Sequence, residues 1–284
     1  MKMSVPRSWQ HGFTLVELMV AMVIGLVLLA AMYSGYLASS RTTGVGRALS
    51  QIAEDASAAM GVLRSQVNAA AYSAPVGGAA GPGTGFTHHA STGDWVRGCD
   101  TDFADMTQPI GLLTCGASGS NALAVAYEAH EFNSITKLVA GARVPMDCLG
   151  NALPLTSGYY LSYSRFYIKD NALYCMGPGN AGGQALVDNI SGMRITYGVA
   201  APGSHVAASY KSASEVDAAG TWPRVVAVRV CLVVRSADPV LDSPTPYQDC
   251  DPFEESKVPG AGDRRMYRTF TSTFVIQNRR GTAL

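Results

Sequence analysis

Charged side chains are scarce in this sequence. They make up 15% of its 284 residues, against about 25% in a typical soluble protein. Neither sign is in excess: Lys plus Arg is 21, Asp plus Glu is 21, and the formal net charge is zero. That balance argues against a nucleic-acid partner, whose footprint is a surplus of basic residues. Cysteine is missing before position 99, and no C-x-x-C pair occurs. The six cysteines therefore suggest disulfides in an oxidising compartment better than they suggest zinc. There is no H-E-x-x-H helix and no G-x-S-x-G elbow, and with them go the usual zinc-hydrolase and serine-hydrolase signatures. No enzyme, cofactor or metal is expected. Disorder is excluded as well, because hydrophobic residues reach 48%.

What is present begins at the N-terminus. Residues 1–12 are short and polar, with Lys2 and Arg7 as their formal charges. Phe13 to Tyr33 is then apolar apart from Thr14, Glu17 and Gly25. As a helix this run spans ~31 Å, about the thickness of a bilayer's hydrocarbon core. Basic residues before the span place the N-terminus in the cytoplasm and the remainder in the periplasm, where disulfides form. An ordinary secretory signal fits poorly, since the small residues Leu37-Ala38-Ser39-Ser40 run on into a helical pattern. Glu17 stands out: an acid inside a membrane span costs ~2.5–3.5 kcal/mol on insertion scales. The helix dipole offsets only ~0.3–1 kcal/mol of that.

Gly12-Phe13-Thr14-Leu15-Val16-Glu17-Leu18-Met19-Val20, behind a basic leader, resembles the prepilin cleavage and methylation signal of type IV pilins. The resemblance implies cleavage between Gly12 and Phe13 by prepilin peptidase, N-methylation of Phe13, and an assembly role for Glu17. It also implies a type IV pilin-like α+β fold, with a long N-terminal helix packed on an antiparallel β-rich domain. Helical periodicity continues past the span through Val45, Leu49, Ile52, Ala56, Met60, Leu63, Val67 and Ala70 or Ala71. The expected organisation is a leader at 1–12 and a helix at 13–72. Residues 13–36 of that helix would lie in the membrane or pilus core, and 41–72 would be amphipathic. A Gly/Pro-rich connection at 73–94 and a disulfide-bearing β domain at 95–284 complete it. Major pilins commonly carry a proline in the first half of the helix. Here Ser34-Gly35 and Gly44 to Gly46 are the weaker places for a bend.

Candidate strands are Ala122–Tyr127, Ser134–Val139, Tyr159–Ile168, Leu173–Met176, Met193–Val199, Val225–Val234 and Tyr267–Gln277. In the sixth of these every even-numbered residue is apolar, so that face should meet the core or the long helix. Neighbour pairing of the cysteines gives Cys99–Cys115, Cys148–Cys175 and Cys231–Cys250, with one or two free thiols as the alternative.

Strand Met193–Val199, then Trp222-Pro223-Arg224-Val225 and the strand it opens, then Arg264-Arg265-Met266-Tyr267, resembles PilW-type minor pilins. The match spans roughly residues 185–280. It implies a low-copy subunit that helps to start pilus assembly and sits at or near the tip. The implied partners are other minor and major pilins, prepilin peptidase, the inner-membrane assembly platform and a tip adhesin. The protein would sit in the inner membrane as a single-pass, N-in chain and become extracellular once assembled. Two readings compete: a J-type minor pseudopilin of type II secretion, and a signal-anchored periplasmic enzyme or binding protein.

The remaining motifs carry less. Gly177-Pro178-Gly179-Asn180-Ala181-Gly182 matches G-x-G-x-x-G, but Pro178 and Gly183 leave no helix to receive a pyrophosphate. His88, His89, His130 and His205 are too scattered for a metal site. Asp238, Asp242, Asp249 and Asp251 share one loop without the regular spacing of a calcium-binding EF-hand.

Overall fold

The computed structural model describes residues 14–76, 87–88, 95–178, 182–251 and 256–279. The chain divides into two compact units after Arg47. Helix α1, Leu15–Ala69, begins in the first unit and ends in the second. It passes through Gly35, Gly44 and Gly46 as unbroken α-helix. In the first unit Leu15, Leu18, Val23, Leu26 and Leu29 are all more than half exposed. This segment is long and apolar enough to cross a membrane.

In the second unit α1 buries Ala48, Ile52, Ala56, Ala59, Leu63 and Val67, and Ala70 just past its end is buried too. These follow one another by three or four residues, the spacing of one helix face. The expected stripe contained Ile52, Ala56, Leu63, Val67 and Ala70, but Leu49 is 41% exposed and Met60 only half-buried. Ala48 and Ala59 take the inward positions, where a small side chain brings the helix backbone closer to its neighbours. The helix was expected to run to residue 72; it stops at Ala69. Ala71 adopts φ 62°, and its N–H turns away to the carbonyl of Ala126 at 3.1 Å. The Asn278 side-chain amide donates to the carbonyls of Asn68, Ala69 and Ala70 at 3.0–3.2 Å. Helix-end carbonyls have no partner within the helix itself, and here a residue from the far end of the domain supplies one.

The strands are β1 (Pro75–Val76), β2 (Thr87–His88), β3 (Val96–Cys99), β4 (Ala122–Ala129), β5 (Thr136–Val139), β6 (Ala142–Pro145) and β7 (Leu155–Thr156), followed by β8 (Tyr159–Lys169), β9 (Ala172–Met176), β10 (Gln184–Asp188), β11 (Ile190–Ala200), β12 (Ala207–Lys211), β13 (Val225–Arg235) and β14 (Tyr267–Val275). They form two main antiparallel sheets. One has the order β10-β9-β8-β4-β3, with β7 also on β8; the other is β12-β11-β13-β14. β1–β2 and β5–β6 are separate pairs. Asn121 stitches the two main sheets together: its N–H donates to the Met193 carbonyl, and its side-chain oxygen accepts from the Ile195 N–H.

The even-numbered face of β13, Val226 to Val234, is almost wholly buried, as its alternation predicts. Each such side chain stabilises the fold by roughly 1.5–3 kcal/mol. β1, β2, β3, β6, β7, β10, β12 and a short helix α2 (Ala213–Ala218) are additions to the strand reading. Helix α2 is started by a capping box between Ser212 and Glu215.

Disulfides join Cys99 to Cys115, Cys148 to Cys175 and Cys231 to Cys250, with Cα atoms 5.4, 6.4 and 5.7 Å apart. The first fastens the 100–121 segment beside β3, and the last ties β13 to the long connection before β14. Each closure contributes about 3 kcal/mol on a chain-entropy estimate. We expect Cys99→Ala with Cys115→Ala to lower unfolding free energy by about that amount in urea titration. Non-reducing peptide mapping of wild type should recover these three bridges, and a bridge such as Cys99–Cys250 would overturn the pairing.

Candidate functional site

Gly12 and Phe13 lie outside the described residues, so the candidate assembly site is described from Thr14 onward. Thr14 and Glu17 form a reciprocal cap on α1. The Glu17 N–H donates to Thr14 Oγ1 at 3.3 Å, and the Thr14 N–H donates to Glu17 Oε2 at 2.9 Å. Thr14 Oγ1 also donates to the same carboxylate oxygen at 3.0 Å. This is the S/T-x-x-E capping box, which satisfies two of the donors that every helix start leaves open. Sequence reasoning assigned no role to Thr14, although the Thr-x-x-Glu spacing was visible. Glu17 is thus held in a defined orientation at the start of an apolar helix whose side chains have no cover within the first unit. Among the described residues, both bonds to its carboxylate run to Oε2.

The second unit holds the other candidate residues. His130 sits in a tight turn after β4. Its Nδ1 accepts from the Phe132 N–H at 3.0 Å, so Nε2 carries the proton offered to the Tyr72 hydroxyl at 3.1 Å. His205 is exposed in a separate turn. His89 lies outside the described residues, and for His88 only its backbone place in β2 is described. Of the acidic loop, Asp249 pairs with Lys257 and Asp251 with Arg194, while the Asp238 carbonyl accepts from Ser236. These pairs line a groove of about 760 Å³ bordered by β11, the 119–121 segment and the connection before β14. Gly177 follows β9 and lies against the Asp147 carboxylate. Gly179 to Ala181 of the glycine-rich motif are outside the described residues.

Two carboxylates fix the loops around this unit. Glu128 Oε2 accepts from the Ser73 hydroxyl at 2.9 Å and from the Ala74 N–H at 2.8 Å, anchoring the chain as it leaves α1. Asp100 accepts from the N–H groups of Ala213 and Ser214 at the start of α2. Burial alone raises the pKa of Asp100, but hydrogen bonds from Ser214, Ala213 and Ser212 outweigh it and hold the carboxyl below its usual value.

The stretch from β11 to β14 is built around Trp222, which is buried edge-on against Tyr197 with ring centroids 4.9 Å apart. The buried Arg279 guanidinium donates to the carbonyls of Trp222 and Val225. Arg265 Nε donates to the Ala237 carbonyl at 3.1 Å.

Comparison with known proteins gives two matches to family descriptions. Residues 10–33 match the prokaryotic N-terminal methylation motif. Residues 159–278 match type IV pilus-assembly protein W. Among proteins of curated function, none matches this chain. One solved structure, a type IV-like pilin from Thermus thermophilus, is similar at 12% identity and a TM-score of 0.33, over 58% of this chain and 82% of that one. A likeness that distant carries no weight here. The methylation motif and the apolar helix that follows it fit a membrane-anchored pilin. With that motif at its head and the pilus-assembly match across β8 to β14, the chain carries the features of a type IV minor pilin of PilW type.

Proposed function

We propose that this protein helps to initiate type IV pilus assembly and occupies a place at or near the pilus tip. It would do so by packing α1 against the helices of other minor and major pilins. The observation that carries the reading is α1 itself: an uncovered apolar segment, capped by Thr14 and Glu17, continues as one helix into a disulfide-tied β domain. Before assembly the apolar segment would lie in the inner membrane as a single N-in span, with residues after it in the periplasm. Prepilin peptidase would cut between Gly12 and Phe13 and methylate Phe13, and the inner-membrane assembly platform would then take the subunit up. The role is structural, and its chemistry is helix packing and charge register, with no catalytic step.

Processing supplies the first test. Intact mass of the protein from cells with active prepilin peptidase should show loss of residues 1–12 and one added methyl on Phe13. A mature start near Ser39, or an uncut chain, would remove this reading. Deletion of the gene should sharply reduce recovery of sheared pili. Unchanged piliation beside a failure of protein secretion would point to a pseudopilus.

A further inference from the structure

We propose that the groove beside β11, extended onto Arg229 of β13 and Tyr210 of β12, binds an oligosaccharide that carries one acidic sugar. Neutral sugar rings lie in the groove, and the carboxylate of the acidic sugar lies on the Arg229 guanidinium. The inference goes beyond the assembly role and does not depend on it.

Arg229 is the one exposed residue of β13. Its register partners are Thr196 on β11 and Thr273 on β14, so the three side chains stand in a row on one face of the sheet. Arg229 Nε donates to Thr273 Oγ1 at 3.4 Å, and its guanidinium carbon lies 3.8 Å from the centre of the Tyr210 ring. That ring needs a glycine beneath it. Gly198 is the register partner of Tyr210, and a Cβ on Gly198 would come within 3.2 Å of the ring and 2.9 Å of the Ala207 Cβ. The bare backbone lets the ring lie close to the sheet, and the ring in turn holds the guanidinium against its face. Among the described residues no carboxylate pairs with Arg229. Its terminal N–H groups are therefore a positioned fork of the kind that receives a carboxylate with two hydrogen bonds.

The groove begins one strand away in the same row. Thr196 lines it, and as the cross-strand partner of Arg229 it lies about 5 Å off, measured between Cα atoms. The groove's volume of about 760 Å³ falls within the ~300–1,000 Å³ of small-molecule sites. Its wall offers hydrogen bonds. Among the described residues the hydroxyls of Ser120, Thr196 and Tyr247 line it with no partner of their own. The pairs Arg194–Asp251 and Lys257–Asp249 stand beside them. Tyr247 is fixed by stacking on Tyr267, with ring centroids 4.6 Å apart. A wall of fixed donors and acceptors suits a ligand made of hydroxyl groups, each of which donates once and accepts twice.

These groups decide among possible ligands. A nucleic acid carries a negative charge at every unit, and Asp100, Asp249 and Asp251 along the groove would repel it. A peptide depends on burying apolar side chains, for which a wall of hydroxyls and ion pairs is a poor match. A small anion would use Arg229 and leave the groove unused. A largely neutral sugar chain capped by one carboxylate uses both parts, with its hydroxyls in the groove and its single charge on the one guanidinium that lacks an acid.

The test is titration calorimetry of the full-length protein in detergent. The probes are sialyllactose and glucuronosyl-xylobiose, each a neutral disaccharide capped by one acidic sugar, beside lactose, xylobiose and triglutamate. We expect at least one capped sugar to bind saturably, about tenfold or more tighter than its neutral disaccharide and than triglutamate. Arg229→Gln should bring that affinity down to the level of the neutral disaccharide. Methyl esterification of the sugar carboxylate, which needs no variant, should do the same. Tyr247→Phe should weaken the capped sugar about fivefold, with urea unfolding unchanged in both variants. No saturable binding of either capped sugar, equal binding of triglutamate, or full affinity in Arg229→Gln or for the ester would overturn the proposal. Piliation is not read in this experiment, so its failure leaves the assembly role untouched.

Discussion

Glu17→Ala should be inserted and cleaved normally yet recovered in sheared pili at least tenfold less than wild type. The acid is expensive within an apolar helix, and the capping box offsets only part of the cost, since a cap contributes ~0.5–2 kcal/mol. Cleavage at Gly12 would create an α-amine on Phe13, of ordinary pKa ~7.7–8.0. With Glu17 Oε2 engaged by Thr14, the carboxylate is already aimed when a neighbouring subunit presents its amine. At ~4 Å and an effective dielectric near 20, the attraction is ~4 kcal/mol before desolvation. Its main effect is then register, because a subunit out of step leaves two charges unpaired. Glu17→Gln separates the two roles. It keeps an acceptor for the Thr14 N–H and removes the charge. If charge pairing governs entry, Gln fails as Ala does; if the cap alone matters, Gln restores pili. Membrane-fraction level and pilus recovery, measured side by side for both variants, decide it, and normal piliation with Glu17→Ala would end the register mechanism.

The second large effect lies at Gly98 in β3. A Cβ there would fall 1.7 Å from the hydroxyl oxygen of Tyr197, 2.5 Å from its ring carbon and 3.1 Å from the Ala122 carbonyl. Tyr197 is fully buried and held against Trp222, so its ring has no empty space to enter. Overpacking a tight core costs about 1–3 kcal/mol, occasionally more, and Gly98→Ala belongs at the upper end. We expect a loss of about 3 kcal/mol in urea unfolding. The Tyr197 hydroxyl has no hydrogen-bond partner among the described residues, so Tyr197→Phe alone should be nearly neutral. Combined with Gly98→Ala it should restore about 1 kcal/mol, a coupling that a double-mutant cycle reads directly. If Gly98→Ala unfolds within 0.5 kcal/mol (about the scatter of a surface change) of wild type, the ring does not fill that space.

The parts of the fold that were readable from sequence are those in which one residue pattern decides the structure. The apolar run after Thr14 declares a span by length. The alternation of β13 declares a buried strand, and the Ile52–Ala56–Leu63–Val67 spacing declares an inward helix face. What escaped depended on partners far along the chain. The stop at Ala69 is set by Asn278, and nothing within the helix marks it beyond a run of alanines. β3 and β12 are four and five residues long, too short for a period to show, and they exist because β4 and β11 offer edges. Helix α2 was legible in principle, through Ser212-x-x-Glu215, but six residues make a helix only when Asp100 holds its first turn. At the candidate site the acid was singled out and its cap was passed over, although the Thr-x-x-Glu spacing that marks it is present in the sequence. The first strand of the β5–β6 pair was read within Ser134–Val139; its second strand depends on a turn built from Ala140 in a conformation alanine seldom adopts.

The bonds from Asn278 to the end of α1 have a consequence in time. They span 208 to 210 residues of chain, so the last carbonyls of α1 gain this partner only when nearly all of the chain is in place. Loop-closure entropy must be overcome before so distant a contact contributes. Through that interval the last turn of α1 remains free to fray or to lengthen. The closing residues then act as a latch on the opening element, and a chain truncated before residue 278 leaves the last carbonyls of α1 without that partner.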